Sequence, residues 1–262
     1  YVWDCRNCVK TVKAHDKSVN VIFVCKHGLI TGGRDGKIRL WSATGANIEP
    51  GAVFDIGGLG SFNPRVRSVC WSSDGAKLLV GTMGSEIYEI SAGDGSNFHA
   101  GPVLQGHCRH EVHGLAMSPI KPEYCTVGDD QTVRIWDLKT RALIKMVMLD
   151  TMARTCRYSP DGMLIVIGLG AKVEGVARQK KMGAYIVLDS SDLTITHEAR
   201  DSKEPPTDIK FSGDGKTLAV ATLDSSIYLY NVEDFTSKGR CKGHSGGCLH
   251  FDFSVDDQWL HS

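Results

Sequence analysis

Several things are scarce or missing from this sequence, and each absence excludes a class of function. There is no excess charge, because 30 Lys and Arg residues balance 30 Asp and Glu residues. No global field therefore draws the chain to nucleic acid or to an anionic membrane surface. Basic residues are not interleaved with aromatics in the manner of a nucleic-acid binder. No apolar run approaches the roughly eighteen residues of a spanning helix, and no signal-peptide pattern is present, so no membrane crossing is expected. A phosphate loop of the G-x-x-x-x-G-K-[ST] type is missing, and Gly57-Gly58-x-Gly60 reads as a glycine-rich connector rather than a dinucleotide fingerprint. The nine cysteines form no regular framework, and several sit inside apolar runs where a free thiol acts as a small hydrophobe. That usage fits a reducing, cytoplasmic compartment. Cys5-x-x-Cys8 has zinc-ligand spacing, and Cys108, His110 and His113 cluster, but each group lacks the partner pair that a four-coordinate structural site needs. No metal, cofactor or small-molecule substrate is expected. The chain opens on Tyr1 inside a strand-like run, which reads as an excerpt of something longer.

What is present is a repeat. Hydrophobic residues make up 42% and charged residues 23% of the sequence, enough to bury a core, and the apolar residues alternate at the strand period with no competing helical period. One unit recurs: a short strand, a polar turn centred on Asp-Gly, an apolar strand ending in Gly or Thr, a tight turn, and a strand closing on an aromatic or aliphatic residue. The closing residues are Trp3, Trp41, Ile90, Trp136, Leu188 and Tyr230, at spacings of 38, 49, 46, 52 and 42, near the roughly 40 to 45 of WD repeats. Ser-Asp-Gly, Pro-Asp-Gly and Gly-Asp-Gly supply the left-handed positions that tight hairpins need. Each unit predicts a four-stranded antiparallel sheet. Such a sheet cannot cover both its faces alone, and radial stacking of neighbours can. The predicted fold is all-β, a WD40-type β-propeller: a partial blade over 1–14, five full repeats over about 15–247 and a partial repeat over 248–262. Ser42 to Pro64, poor in strand signals and rich in Gly, is the candidate junction between two propellers.

Two repeats carry a full set of polar residues: His15, Thr31, Asp35 and Trp41, then His107, Thr126, Asp130 and Trp136. An Asp beside a His and a hydroxyl has the make-up of a hydrolytic triad. A catalytic constellation occurs once per site, however, whereas this one recurs with the blade. The set is therefore read as a structural tetrad whose members satisfy one another's hydrogen bonds, and no catalytic residue is expected.

The fourth unit departs from the pattern. Where others use a tight turn it inserts GAKVEGVARQKKMG at 170–183, with Lys172, Arg178, Lys180 and Lys181 against Glu174 alone. Loops on a rigid scaffold often carry binding residues. This one is a candidate contact for an acidic partner surface, or else a solvated hairpin.

Taken together, VKAHDKSV, GLITGGRDGKIRLW, RVRSVCWSSDGAKLLVGT, GDDQTVRIWDL, DLTITHEARDSKEP, DIKFSGDGKTLAV, SSIYLYNV and CKGHSGGCLHFDFSVDDQWLHS resemble the echinoderm microtubule-associated protein-like family across essentially the whole chain. The nearest likeness is to its long, multi-module members. The segments around HEARDS and from GRCKGHSGG to FSVDDQWLHS are the distinctive ones. The resemblance implies a tandem propeller module that binds tubulin or microtubules, and with them other axonemal or cytoskeletal proteins. It also implies residence in the cytoplasm on the microtubule cytoskeleton, including the cilium or axoneme. The family's hydrophobic opening motif and N-terminal coiled coil are not found in this sequence. A different class uses the same blades: a WD40 scaffold, or the substrate-receptor subunit of a ligase or signalling complex.

Overall fold

A computed structural model of the chain describes residues 2–4, 7–44, 47–108, 111–170 and 181–262. It divides into two compact units, Tyr1–Cys108 and Arg109–Ser262.

The first unit begins with a hairpin of β1 (Val2–Asp4) and β2 (Asn7–Lys10). Two four-stranded antiparallel sheets follow. One is β3 (Val19–Cys25), β4 (Gly28–Gly33), β5 (Lys37–Thr44) and β6 (Asn47–Asp55). The other is β7 (Val66–Trp71), β8 (Lys77–Thr82), β9 (Glu86–Ser91) and β10 (Leu104–Gln105). The second unit holds three more sheets of the same kind. They are β11 (Val112–Met117), β12 (Glu123–Gly128), β13 (Thr132–Asp137) and β14 (Leu143–Met148); β15 (Ala153–Tyr158), β16 (Leu164–Leu169), β17 (Tyr185–Asp189) and β18 (Ile195–Ala199); and β19 (Pro206–Phe211), β20 (Thr217–Thr222), β21 (Ser226–Asn231) and β22 (Ser237–Lys242). A hairpin of β23 (Asp252–Phe253) and β24 (Leu260–His261) ends the unit. These are the blades of a WD40 β-propeller series, each a meander of four neighbouring strands.

Local chemistry explains why three of the blades turn alike. Between first and second strands, Gly75, Gly162 and Gly215 adopt φ of 78°, 71° and 71°, a left-handed conformation that costs glycine least. The preceding Asp carboxylates are tied down: Ser72, Ser159 and Ser212 donate to Asp74, Asp161 and Asp214 at 2.5, 2.6 and 2.6 Å. The same serine oxygens accept the amides of Lys77, Leu164 and Thr217 at 2.9 Å. The pairing of first and second strands also carries one register break in each blade, at Val19/Val21, Val66/Ser68, Val112/Gly114, Ala153/Thr155 and Pro206/Asp208. Such bulges add twist, which lets a narrow sheet stack as a wedge.

The core lies between blades rather than within them. Ala116, Cys125, Val133 and Ile135 pack on Cys156, Ile165, Ile167 and Ile186 of the next blade. Ile30 and Ile38 pack likewise on Val69, Leu78 and Val80, and Val166 and Val187 on Ile209, Leu218 and Val220. Each aliphatic side chain buried in this way contributes about 1.5–3 kcal/mol, available only once a neighbour is in place.

The stretch 42–64 is not the strand-poor linker its glycines suggested. It includes the end of β5 and all of β6, paired from Lys37↔Asp55 to Thr44↔Asn47, and a short 3-10 turn, Gly57–Leu59, follows. Pairing with β5 holds this segment extended despite its weak local preference, as tertiary context does for β-propensity generally. The division between compact units falls after Cys108.

Candidate functional site

The first predicted tetrad is assembled. β4 carries Thr31, β5 carries Trp41, the turn between them carries Asp35, and His15 arrives from the segment before β3. His15 Nδ1 lies 2.9 Å from Asp35 Oδ1, and its Nε2 lies 2.8 Å from Thr31 Oγ1. Trp41 Nε1 donates to the same Thr31 oxygen at 2.9 Å. With a neutral imidazole every group is satisfied: the His15 Nδ1 proton goes to Asp35, the Thr31 hydroxyl proton to Nε2, and the indole N–H to the hydroxyl oxygen. The amides of Asp16 and Lys37 also donate to Asp35, at 3.1 and 3.2 Å. Burial alone would raise the Asp35 pKa, but these two amides and the His15 contact together hold it below its ordinary value. Thr31 and Trp41 are only 5% and 6% exposed. The Thr31 oxygen is thus engaged on both sides, accepting from the indole and donating to the imidazole.

In the second set, Trp136 Nε1 donates to Thr126 Oγ1 at 2.7 Å, repeating the Trp41 bond. Asp130 accepts from the Thr132 hydroxyl at 2.8 Å and from Nη2 of Arg134 at 3.4 Å. His107 lies in the first compact unit, and the other three members lie in the second. Arg134 is fully buried and was not singled out from the sequence. The register shows where it belongs: Thr126 faces Arg134 just as Thr31 faces Arg39.

Two further polar sets escaped sequence reading because their residue types differ. In the β7–β10 blade the acid is Glu86. It accepts from Thr82 Oγ1 at 2.9 Å, from the amide of Phe62 at 3.0 Å, and from the Ser61 hydroxyl. In the β19–β22 blade it is Asp224, which accepts from Tyr228 at 2.7 Å, Ser202 at 2.9 Å and the Thr222 hydroxyl, with Arg240 3.4 Å away. Burial, then the Asp224 contact, pushes the Tyr228 phenol up to about 12. Thr82 and Thr222 end their strands, nearer the turn than Thr31 and Thr126. The positions facing Tyr88 and Tyr228 are Val80 and Val220. A Thr at the end of each second strand was the available signal. The β15–β18 blade uses no such set at these positions: Ile167 faces Ile186 and Ile165 faces Leu188, all buried.

The basic insertion is described only at its ends, and Lys172, Arg178 and Lys180 lie outside the described residues. Lys181 is described, and it is ion-paired within the chain. Its ammonium sits 2.9 Å from Glu198 and 3.4 Å from Asp150, and the Glu198 bond raises its pKa against the opposing effect of burial. Its charge is spent within the chain because β18 carries Glu198 alongside it. Cys5 and His110, from the two weak zinc patterns, also lie outside the described residues. Among the described residues no group of three or more His, Cys, Asp or Glu side chains is placed to hold a metal ion. No helix there is long and apolar enough to cross a membrane.

Comparison with known proteins identifies the blade series. Residues 112–262 match the family model described as "Echinoderm microtubule-associated protein second beta-propeller", and residues 6–42 match "WD domain, G-beta repeat". The chain belongs to the echinoderm microtubule-associated protein family. Among its relatives, the 77 kDa echinoderm microtubule-associated protein of Strongylocentrotus purpuratus is 29% identical over 100% of this chain and 36% of its own length. Echinoderm microtubule-associated protein-like 3 of Mus musculus is 27% identical, and echinoderm microtubule-associated protein-like 4 of Xenopus laevis 29%, each over 97% of this chain and 26% of its own length. The chain thus spans between about a quarter and about a third of these relatives. The start of the matched second propeller, at 112, falls beside the division between compact units after Cys108.

Proposed function

We propose that this chain is a non-catalytic, protein-binding segment of a microtubule-associated protein, with tubulin or the microtubule as partner. The observation that carries the reading is the match of residues 112–262 to the second propeller of the echinoderm microtubule-associated protein family, joined to similarity, over the whole of this chain, with part of a relative named for that association. The geometry supports the non-catalytic part. Polar constellations recur in several blades, their members are buried or half-buried, and their hydrogen bonds are spent largely on one another. On this reading the chain acts in the cytoplasm on the microtubule cytoskeleton, and the cilium or axoneme is one setting for it. The junction of the two propellers lies near Cys108 to Val112. Lys172, Arg178 and Lys180 of the insertion face an acidic partner surface. Co-sedimentation of the chain with assembled microtubules over a salt series tests the reading. Binding should weaken as salt screens charge. Absence of binding at every salt concentration would favour a scaffold of another class.

A further inference from the structure

Within the second unit, the ends of successive first strands frame a groove that the WD tetrads do not account for. β11 leads into Met117 and Pro119 on one wall, the turn after β15 supplies Pro160, and β19 ends at Phe211. The groove has a volume of about 500 Å3 and also admits Arg157, Lys210 and Asp252. Met117 is 49% exposed, so the apolar wall is open to solvent.

The two cations differ in kind. Lys210 is already compensated, 2.7 Å from Asp252 and 3.9 Å from Asp208. Arg157, half-buried on β15, reaches across to the next blade, where its Nε donates to the Ile209 carbonyl at 3.2 Å. That bond orients the guanidinium plane. It leaves both terminal nitrogens without a carboxylate or carbonyl partner among the described residues. A half-buried guanidinium with an idle fork, beside an apolar wall, is complementary to one monoanion carried next to an apolar group. Arg pairs bidentately with carboxylate and is weakly hydrated, so partial burial costs it less than it would cost Lys. Asp252 makes the groove a poor host for a phosphate dianion, and one uncompensated cation among the described residues makes it a poor track for a nucleic-acid backbone.

We propose that this groove binds a peptide segment through one carboxylate. Both terminal nitrogens of Arg157 hold that carboxylate, and the adjoining apolar side chain of the peptide lies against Met117, Pro119, Pro160 and Phe211. The carboxylate is an acidic side chain of a segment running through the groove, whose apolar wall is open to solvent at Met117. The inference stands apart from microtubule association and is tested without microtubules.

Fluorescence anisotropy of the 262-residue chain is measured with three short labelled peptides. One ends in Phe with a free carboxylate and has no acidic side chain; the second is its C-terminal amide; the third is an amide with an internal Glu-Phe pair. Binding of the third peptide, with or without the first, is the expected result, and binding of the first alone would overturn the proposal in favour of a chain terminus. Arg157→Gln removes the fork, and Met117→Glu sets a negative charge on the exposed wall. Each should weaken binding by roughly tenfold or more, with Lys139→Gln as the unaffected control. Met117→Glu alters a surface side chain, so it decides the matter if Arg157→Gln does not fold, as thermal melting will show. Equal binding of the carboxylate-free amide, no binding of any peptide at millimolar concentration, or unchanged affinity in Met117→Glu would overturn the proposal.

Discussion

The indole N–H of Trp41 ends on the hydroxyl oxygen of Thr31, 2.9 Å away. That hydroxyl can accept from the indole only by turning its own proton elsewhere, and His15 Nε2 at 2.8 Å is the acceptor in place. Asp35 then faces the protonated Nδ1 of the ring. One Thr therefore fixes the direction of every hydrogen bond from β5 back to the segment before β3.

Replacing Thr31 by Val keeps the shape and removes the relay. Two buried groups, the Trp41 N–H and His15 Nε2, lose their partner, at about 1–3 kcal/mol for each unsatisfied group. Urea unfolding should show a loss in that range or above it. Thr31→Ser, which keeps the hydroxyl, should recover most of the stability.

The β15–β18 blade should respond to a different change. Ile167 is fully buried between Ile186 and its neighbours, so Ile167→Ala should cost about 2–5 kcal/mol through lost burial and the cavity left behind. Ile167→Thr adds an unpartnered hydroxyl to the loss of a methylene, and its unfolding midpoint should fall well below that of Ile167→Val.

Acid should weaken the first unit through Asp35. Its folded pKa is depressed, so the unfolded chain takes up the proton first. The stabilisation is present above the ordinary carboxylate pKa and is lost as pH falls through the lowered folded value. Asp35→Asn should reduce the slope of stability against pH on the acid limb. A slope remains, because Asp74, Asp161, Asp214 and Asp256, each bonded to a serine, are shifted in the same direction.

Gly162 combines two constraints. Its φ is +71°, and a Cβ there would lie 2.5 Å from a side-chain carbon of Ile120 in the preceding blade. Gly162→Ala should lower stability by about 1–3 kcal/mol. Ile120→Ala in the same chain should relieve only the contact, so a double-mutant cycle measures how much of the loss is backbone conformation.

The insertion should divide into engaged and available charge. Lys181 is held by Glu198 and Asp150, so Lys181→Gln should leave microtubule co-sedimentation at low salt nearly unchanged. Reversal of Lys172 and Lys180 to Glu should reduce it several-fold. Equal effects from the two changes would contradict this division.

The sequence by itself determined the features whose causes are local and periodic. Alternation at period two, Asp-Gly turns and a recurring closing residue all act within a few positions of one another, so the strand order inside each blade and the Thr31–Trp41 pairing were legible. The partners of Glu86 and Asp224 were not, because Ser61 and Ser202 lie 25 and 22 residues away and different side chains supply the same hydrogen bonds. Only the tertiary structure decided that 47–55 is a strand held by β5, that the compact units part after Cys108, that Lys181 pairs with Glu198 of β18, and that Arg157 reaches the Ile209 carbonyl beside a groove. Each of these depends on distances between segments far apart in the chain, and residue spacing along a sequence carries no record of those distances until the blades have packed.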